Sequence, residues 1–391
     1  MSLNLNKSIW KRVTFGDVVR NVNFTVKGPE AARIDRVIAM EHMDPGELKI
    51  QRWGTVADGT TFTRRVRPGQ TLFGKRRAYQ RKVGYAEFDA ICSGDILTFE
   101  ADESQILSEY LPFLVQSNEF FNHALGTSAG SLSPRTNWRD LSNFEFNLPP
   151  CDEQKRIADL LWGVERALRS LVKLRTAASE SRRIWLDGRM SALITEGVVP
   201  FADIWSRSPE SGWSSTPVDD STGYYVLSLA ALGPDGYRPG NLKNITDSPQ
   251  ARAATLRRGD LLISRANTVD AVGRIGIYDE DRSDVSFPDT MMRVSLIEGV
   301  LSEFAVAVIS STYGRMHMRR SAAGSATSMV KINRASLGRL QFPDVSLEIQ
   351  QALLNDLRTF ESSLTNIDAE TRELASLRAS LLALIFEESD G

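Results

Sequence analysis

The stretch "NWRDLSNFEFNLPPCDEQ", from Asn137 to Gln154, returns in loose form as "NRASLGRLQFPDVSLEIQ", from Asn333 to Gln350. Asn137 pairs with Asn333, Leu141 with Leu337, Phe144 with Leu340, Phe146 with Phe342 and Gln154 with Gln350. Every pair is 196 positions apart, about half of a 391-residue chain. A repeat of that length is a duplicated domain-sized unit.

The match continues at the same offset. Ile157, Leu161, Val164, Leu168 and Leu171 align with Leu353, Leu357, Phe360, Leu364 and Ile367. Steps of four, three, four and three place these side chains along one stripe of a helix. Prolines end just before each run, at Pro149-Pro150 and at Pro343, and Asp152 and Ser346 are the expected N-caps. Each run allows roughly 40 helical residues, about 60 Å at 1.5 Å per residue. Two such narrow stripes bury best against one another, as an antiparallel coiled coil. Arg175 and Arg182 fall on the first stripe if it runs unbroken, so a stutter near Leu171–Leu174 is expected, passing through Ala178 and Trp185. "SALITE" (Ser191 to Glu196) echoes "LALIFE" (Leu382 to Glu387) at an offset of 191, a slip of five residues.

The segments before the helices correspond too. "PGQTLFGKRRA" (Pro68 to Ala78) resembles "RGDLLISRANT" (Arg258 to Thr268), and "TFGDVV" near the start is echoed by "PFADIW" after the first helix. Short apolar runs broken by Gly, Pro and Asp read as strands with interspersed helices. The expected fold is therefore mixed α/β (α+β): two similar globular bodies, 1–150 and 198–345, separated by long helices at 151–197 and 346–391, in a pseudo-two-fold plan.

Composition narrows the function. Hydrophobic content of 42% and charged content of 25% are ordinary for a globular protein. No apolar run is long enough to span a membrane, and the N-terminal segment lacks the apolar core of a secretory signal, so a cytoplasmic location is expected. Two cysteines and three scattered histidines suggest neither a disulfide framework nor a metal site. The net charge is −2, yet eight basic residues and no acid lie between Arg64 and Lys82, and six and none between Phe304 and Pro343. A local basic face on a near-neutral protein is the electrostatic footprint of a nucleic-acid binder.

Catalytic motifs fail on inspection. Gly69 to Arg76 fits the start of a P-loop, but Arg76 stands where a magnesium-binding hydroxyl is needed. Asn147-Leu148-Pro149-Pro150 is spoiled by the inserted leucine as an amino-methyltransferase tetrapeptide, and no Gly-rich S-adenosylmethionine loop stands out.

This organisation resembles the specificity subunit of type I restriction-modification systems. The resemblance rests on "WKRVTFGDVV" from Trp10, on "GDLLISR" in the second body, on "FNLPPCDEQKRIADLL" and "LQFPDVSLEIQQALL", and on the two-fold plan. It implies that each body is a target recognition domain reading one half of an interrupted, asymmetric DNA site. It also implies that the helices act as a ruler and dock two methyltransferase subunits, through which a nuclease-translocase joins. The chain itself would be non-catalytic and hold no cofactor; S-adenosylmethionine, ATP and magnesium would belong to the partners. The second helix start departs from the motif, since Pro343 stands alone and Ile349 replaces the glutamate.

The expected DNA contacts are Lys75, Arg76, Arg77 and Arg81 in the first body and Arg265, Asn267 and Arg274 in the second, after equivalent strands. The Gly/Ser loops add Ser128, Ser131 and Arg135, then Ser325 and Lys331, because small residues let the backbone approach phosphates. Arg315, Arg319 and Arg320, on an expected helix, are candidates for backbone phosphate. The competing readings are a coiled-coil scaffold or adaptor that binds no DNA, and a specificity region detached from a fused nuclease-methylase.

Overall fold

The computed structural model describes residues 5–28, 33–130, 133–324 and 329–387. The chain divides into two units, one of residues 1–172 with 369–391 and one of residues 173–368.

The first unit opens with a strand, Lys11–Thr14, paired antiparallel with Glu145–Leu148, the middle of the repeated stretch. Between these lie two four-stranded sheets. In one, Thr71–Gly74 runs between Ile96–Ala101 and Val83–Tyr85, with Val19–Asn21 on the outer edge. In the other, Arg36–Ile38 pairs parallel with Ala90–Cys92. Two helices, Leu111–Gln116 and Asn118–Gly126, close the core. That core is rich in aromatic rings: Phe15, Phe73, Phe99, Phe120 and Phe144 contact one another edge-on or tilted, as ring quadrupoles favour.

The second unit repeats the plan. Val198–Pro200 pairs with Gln341–Pro343, the second copy of the stretch. Leu261–Ser264 runs between Met291–Leu296 and Ile275–Ile277, and Tyr225–Leu227 pairs parallel with Val285–Ser286. Ser302–Ser310 and Thr312–Ser321 are its helix pair. Even a close approach is shared with its partners exchanged. A Cβ on Gly16 would meet the Ser142 Cβ at 2.9 Å, and one on Gly338 would meet the Ala202 Cβ at 2.9 Å. Each copy keeps one glycine at this crossing, on opposite strands of the contact.

The long helices are Cys151–Glu196 and Leu347–Phe386. Asp152 is not the cap expected of it. The first helix already begins at Cys151, and Pro150 O accepts from Glu153 N and Gln154 N at 2.9 Å each. Asp152 sits instead in the first turn, where its charge complements the helix dipole. Ser346 does precede the second helix, and its carbonyl accepts from Gln350 N at 3.1 Å.

In the first unit, Ile157 and Leu161 join the aromatic core, together with Ile385 from the end of the second helix. In the second unit, Leu353 and Leu357 join the body core with Leu186, Met190 and Leu193. These stripe residues therefore pack on the bodies as well as facing a helix. Val164 and Ile367 are buried, while Leu168, Leu171, Phe360 and Leu364 are half-buried. The expected stutter is absent. Leu174 is exposed, and Arg175 instead reaches Asp368 at 2.6 Å. Seven residues on, Arg182 reaches Glu361, seven residues back, at 3.2 Å, and the Trp185 ring lies 5.6 Å from that of Phe360. The helix segments of this unit thus run antiparallel with an unbroken stripe. An arginine serves on such a stripe because its aliphatic stem covers apolar surface while its head finds a carboxylate. In the first unit Glu165 and Arg378 form the corresponding ion pair, both largely buried.

Candidate nucleic-acid interface

In the first unit the Thr71–Gly74 strand is buried along its whole length and bonded on both sides. Four of the eight P-loop-like positions are therefore sheet, not a phosphate-cradling loop. A Cβ on Gly74 would stand 2.7 Å from the Met40 Cε, so the chain leaves the core on a glycine and surfaces at Lys75-Arg76-Arg77. Arg77 and Arg81 bracket a short 3-10 turn, Ala78–Gln80, and both are left-handed, at φ +55° and +51°. Such conformations cost about 1–3 kcal/mol each in a non-glycine residue and gather at functional sites.

The Gly/Ser loop folds back onto this exit. Thr136 N donates to Lys75 O at 2.9 Å and Arg77 N to Pro134 O at 2.8 Å. Arg76 Nε donates to Ser133 Oγ at 2.9 Å. Burial, then the neighbouring Arg64 guanidinium, hold the Lys75 ammonium below the usual lysine value, with Asp95 opposing and Arg135 reinforcing. A desolvated ammonium among guanidiniums gains by meeting an anion.

The second unit builds the same exit from different residues. The buried Leu261–Ser264 strand ends at Arg265, whose carbonyl accepts from Ile332 N at 2.9 Å, matching Thr136 on Lys75. Ala266–Asn267 pairs with Val330–Lys331, so Lys331 is exposed beside the exit. Gly273 holds φ +72° and precedes Arg274, the second basic position of this body. Arg315, half-buried, donates from Nη2 to Asp270 O at 3.1 Å, and Arg319 pairs with the Asp270 carboxylate at 3.1 Å. Burial, then Arg319 and Arg274, push the Arg315 guanidinium down to about 10 against the pull of Asp270. Arg320 is exposed on the same helix.

Three expected contacts are turned to other work. Arg81 donates to Gln116 O at 3.2 Å and Asn118 Oδ1 at 2.9 Å, and stacks 4.4 Å above the Phe121 ring. Its stem and head bind the body, which is how it holds a left-handed turn. Ser128 Oγ donates to Ala124 O at 2.7 Å and shares a bond with the buried Thr136 hydroxyl, so it caps a helix from inside. Asn267 donates to Ser264 Oγ at 3.2 Å and accepts from Thr268 N at 2.9 Å, a local turn. Ser131 and Ser325 lie outside the described residues.

Sequence reading missed the acids inside these clusters. Asp95 lies 3.5 Å from Arg76 and 3.4 Å from Arg135, and Asp270 faces Arg319. A lone acid in a turn carries no periodic signal. It also missed two histidines in matching roles: His123 Nε2 bonds Asp140 O at 2.8 Å, and His317 Nε2 bonds Ser336 O at 2.9 Å. Among the described residues no group of three His, Cys, Asp or Glu side chains is placed to hold a metal ion, and no helix is long and apolar enough to cross a membrane.

Comparison with known proteins places this geometry. Two solved chains share the fold. One comes from work on complex assembly and conformational transition of the type I R-M system, with a TM-score of 0.62 at 17% identity, covering 95% of this chain and 96% of that one. The other is the S subunit of a type I restriction-modification system from M. genitalium, with a TM-score of 0.53 at 13% identity, covering 100% and 99%. The architecture is thus that of type I specificity subunits. Residues 61–175, which include the first basic cluster and the first half of the long helix, match the family described as type I restriction modification DNA specificity domain. In sequence the chain is 28% identical over 150 residues to the EcoDI specificity subunit of a type I restriction enzyme from Escherichia coli. That match spans 38% of this chain and 33% of that relative. The resemblance read from the sequence is borne out.

Proposed function

We propose that the chain is the sequence-specific DNA recognition subunit of a type I restriction-modification complex, with no catalytic activity of its own. Residues 1–150 and 198–345 act as target recognition domains, each reading one half of an asymmetric bipartite site. The long helices dock two methyltransferase subunits, and a nuclease-translocase joins through them. S-adenosylmethionine, ATP and magnesium belong to those partners, and the complex works in the cytoplasm.

One observation carries this reading: in each unit a buried strand delivers basic residues to the surface beside a returning Gly/Ser loop, and the first of these exits lies inside the DNA specificity domain match. Two similar reading surfaces with different side chains suit two different half-sites, because phosphate contacts position while base contacts specify. A scaffold that binds only proteins has no use for guanidiniums crowded together with a partly desolvated ammonium. Methylome sequencing of the source cells with and without the gene tests the proposal. A bipartite motif should lose its methylation on deletion, and an unchanged methylome would refute the reading.

A further inference from the structure

The carboxylate of Asp95 is the feature that the DNA-recognition reading leaves unexplained. It sits in the turn between the Ala90–Cys92 and Ile96–Ala101 strands, in the middle of the first basic cluster. Its two oxygens face Arg76 at 3.5 Å and Arg135 at 3.4 Å, one on the strand exit and one on the returning loop. Charge-assisted bonds between such groups are ordinarily about 2.7–2.9 Å, so both pairs are loose. The carboxylate is 24% exposed, while Arg76 and Arg135 are 44% and 56% exposed and so open to an outside anion. Arg76, Arg77 and Asp95 also line a shallow depression of about 340 Å³.

The second unit shows that the fold does not need this acid. Lys75 N donates to Asp95 O at 3.0 Å, and the equivalent Arg265 N donates to Thr290 O at 2.8 Å. Thr290 therefore holds the same backbone position, makes the same bond and carries no charge. The main chain does the structural work in both units, and the carboxylate of Asp95 is an addition specific to the first.

We infer that Asp95 is a specificity-determining residue of the first body: its carboxylate occupies Arg76 and Arg135 in the free protein and must be displaced by a DNA phosphate. The inference rests on the DNA-recognition reading. An anion already in place lowers the affinity of the cluster for any phosphate backbone, whatever its sequence. Binding then depends on the base contacts that a correct half-site adds. This is discrimination by a built-in competitor, which weakens wrong complexes more than it costs the right one. It also reduces the number of backbone contacts that every duplex can make, and hence the salt dependence of non-specific binding.

The test uses the full chain and a random-sequence DNA duplex, with affinity measured by fluorescence anisotropy over a range of salt concentrations. Two variants are compared with the wild type, Asp95→Asn and Asp95→Thr, the second copying the residue that the other unit already carries. Both should bind the random duplex several-fold more tightly at low salt, with a salt slope steeper by about 0.9, the value of one more neutralised phosphate. Variants that melt like the wild type but bind no more tightly would overturn the inference, as would failure of both to fold, since Asp95 would then be a structural ion. A wild-type chain with no salt-dependent duplex binding would instead bring down the DNA-recognition reading itself.

Discussion

Gln154 and Gln350, 196 positions apart, make the same three side-chain hydrogen bonds in their respective units. Gln154 Oε1 accepts from Leu107 N at 2.8 Å, while Nε2 donates to Gln105 O at 2.8 Å and Pro149 O at 2.9 Å. Gln350 Oε1 accepts from Leu301 N at 2.9 Å, while Nε2 donates to Gly299 O at 2.9 Å and Val345 O at 3.2 Å. Both side chains are almost wholly buried. Each ties the first turn of a long helix to the loop that leads into the body's helix pair. In the first unit Trp10 adds a fourth tie, donating from Nε1 to Glu153 Oε2 at 3.1 Å, which joins two of the motifs shared with type I specificity subunits.

Replacing Gln154 by Leu should therefore be costly despite the similar volume. One backbone donor and two carbonyls lose their partner, and each orphaned buried group costs about 1–3 kcal/mol. We expect a destabilisation of roughly 2–5 kcal/mol in urea unfolding, with Gln350→Leu giving a similar loss. Wild-type stability in either variant would show that the bonds contribute nothing net.

The exchanged glycines make a compensation experiment. Gly338→Ser should destabilise by about 1–3 kcal/mol, because the new Cβ meets that of Ala202. The double variant Ala202→Gly with Gly338→Ser rebuilds the arrangement of Gly16 and Ser142, and should recover most of that loss. A double variant no more stable than Gly338→Ser alone would contradict the shared geometry.

The basic residues separate by their surroundings. Lys75→Ala and Arg265→Ala should each weaken DNA binding and flatten the salt slope by about 0.9. A residue that reads a base should instead change one half-site only, by about 1–3 kcal/mol. Arg81→Ala should leave the salt slope alone and lower the melting temperature, since its head and ring contacts are internal. Anisotropy titrations beside thermal melts distinguish the three cases.

Acid should act on the second unit through Glu210. Two bonds from Arg293, at 2.8 and 3.3 Å, hold its carboxyl below the glutamate value of 4.5. A depressed folded value means that the pair stabilises above the unfolded value and is lost as pH falls through the folded one. Glu210→Gln should accordingly show a shallower fall in melting temperature below about pH 4.5 than the wild type. Parallel melting curves would exclude the pair as a source of acid sensitivity.

The duplication, the two long helices and the basic clusters were legible in the chain because they are periodic or compositional. An offset of 196 survives wherever a residue has the same neighbours twice, as Gln154 and Gln350 do. The stripe from Ile157 to Leu171 is visible because helical spacing is fixed by the backbone. The arginines on its continuation were misread, since sequence shows only that Arg175 and Arg182 are charged, not that Asp368 and Glu361 lie within 2.6 and 3.2 Å. The same limit governs the candidate interface. Residue type alone marked Lys75, Arg81 and Ser128 as equals, but folding leaves Lys75 among guanidiniums, stacks Arg81 on Phe121 and turns Ser128 inward. Local order and repetition are properties of the chain. Which charges meet, and which are left for an outside partner, depends on contacts between distant residues that only the tertiary structure decides.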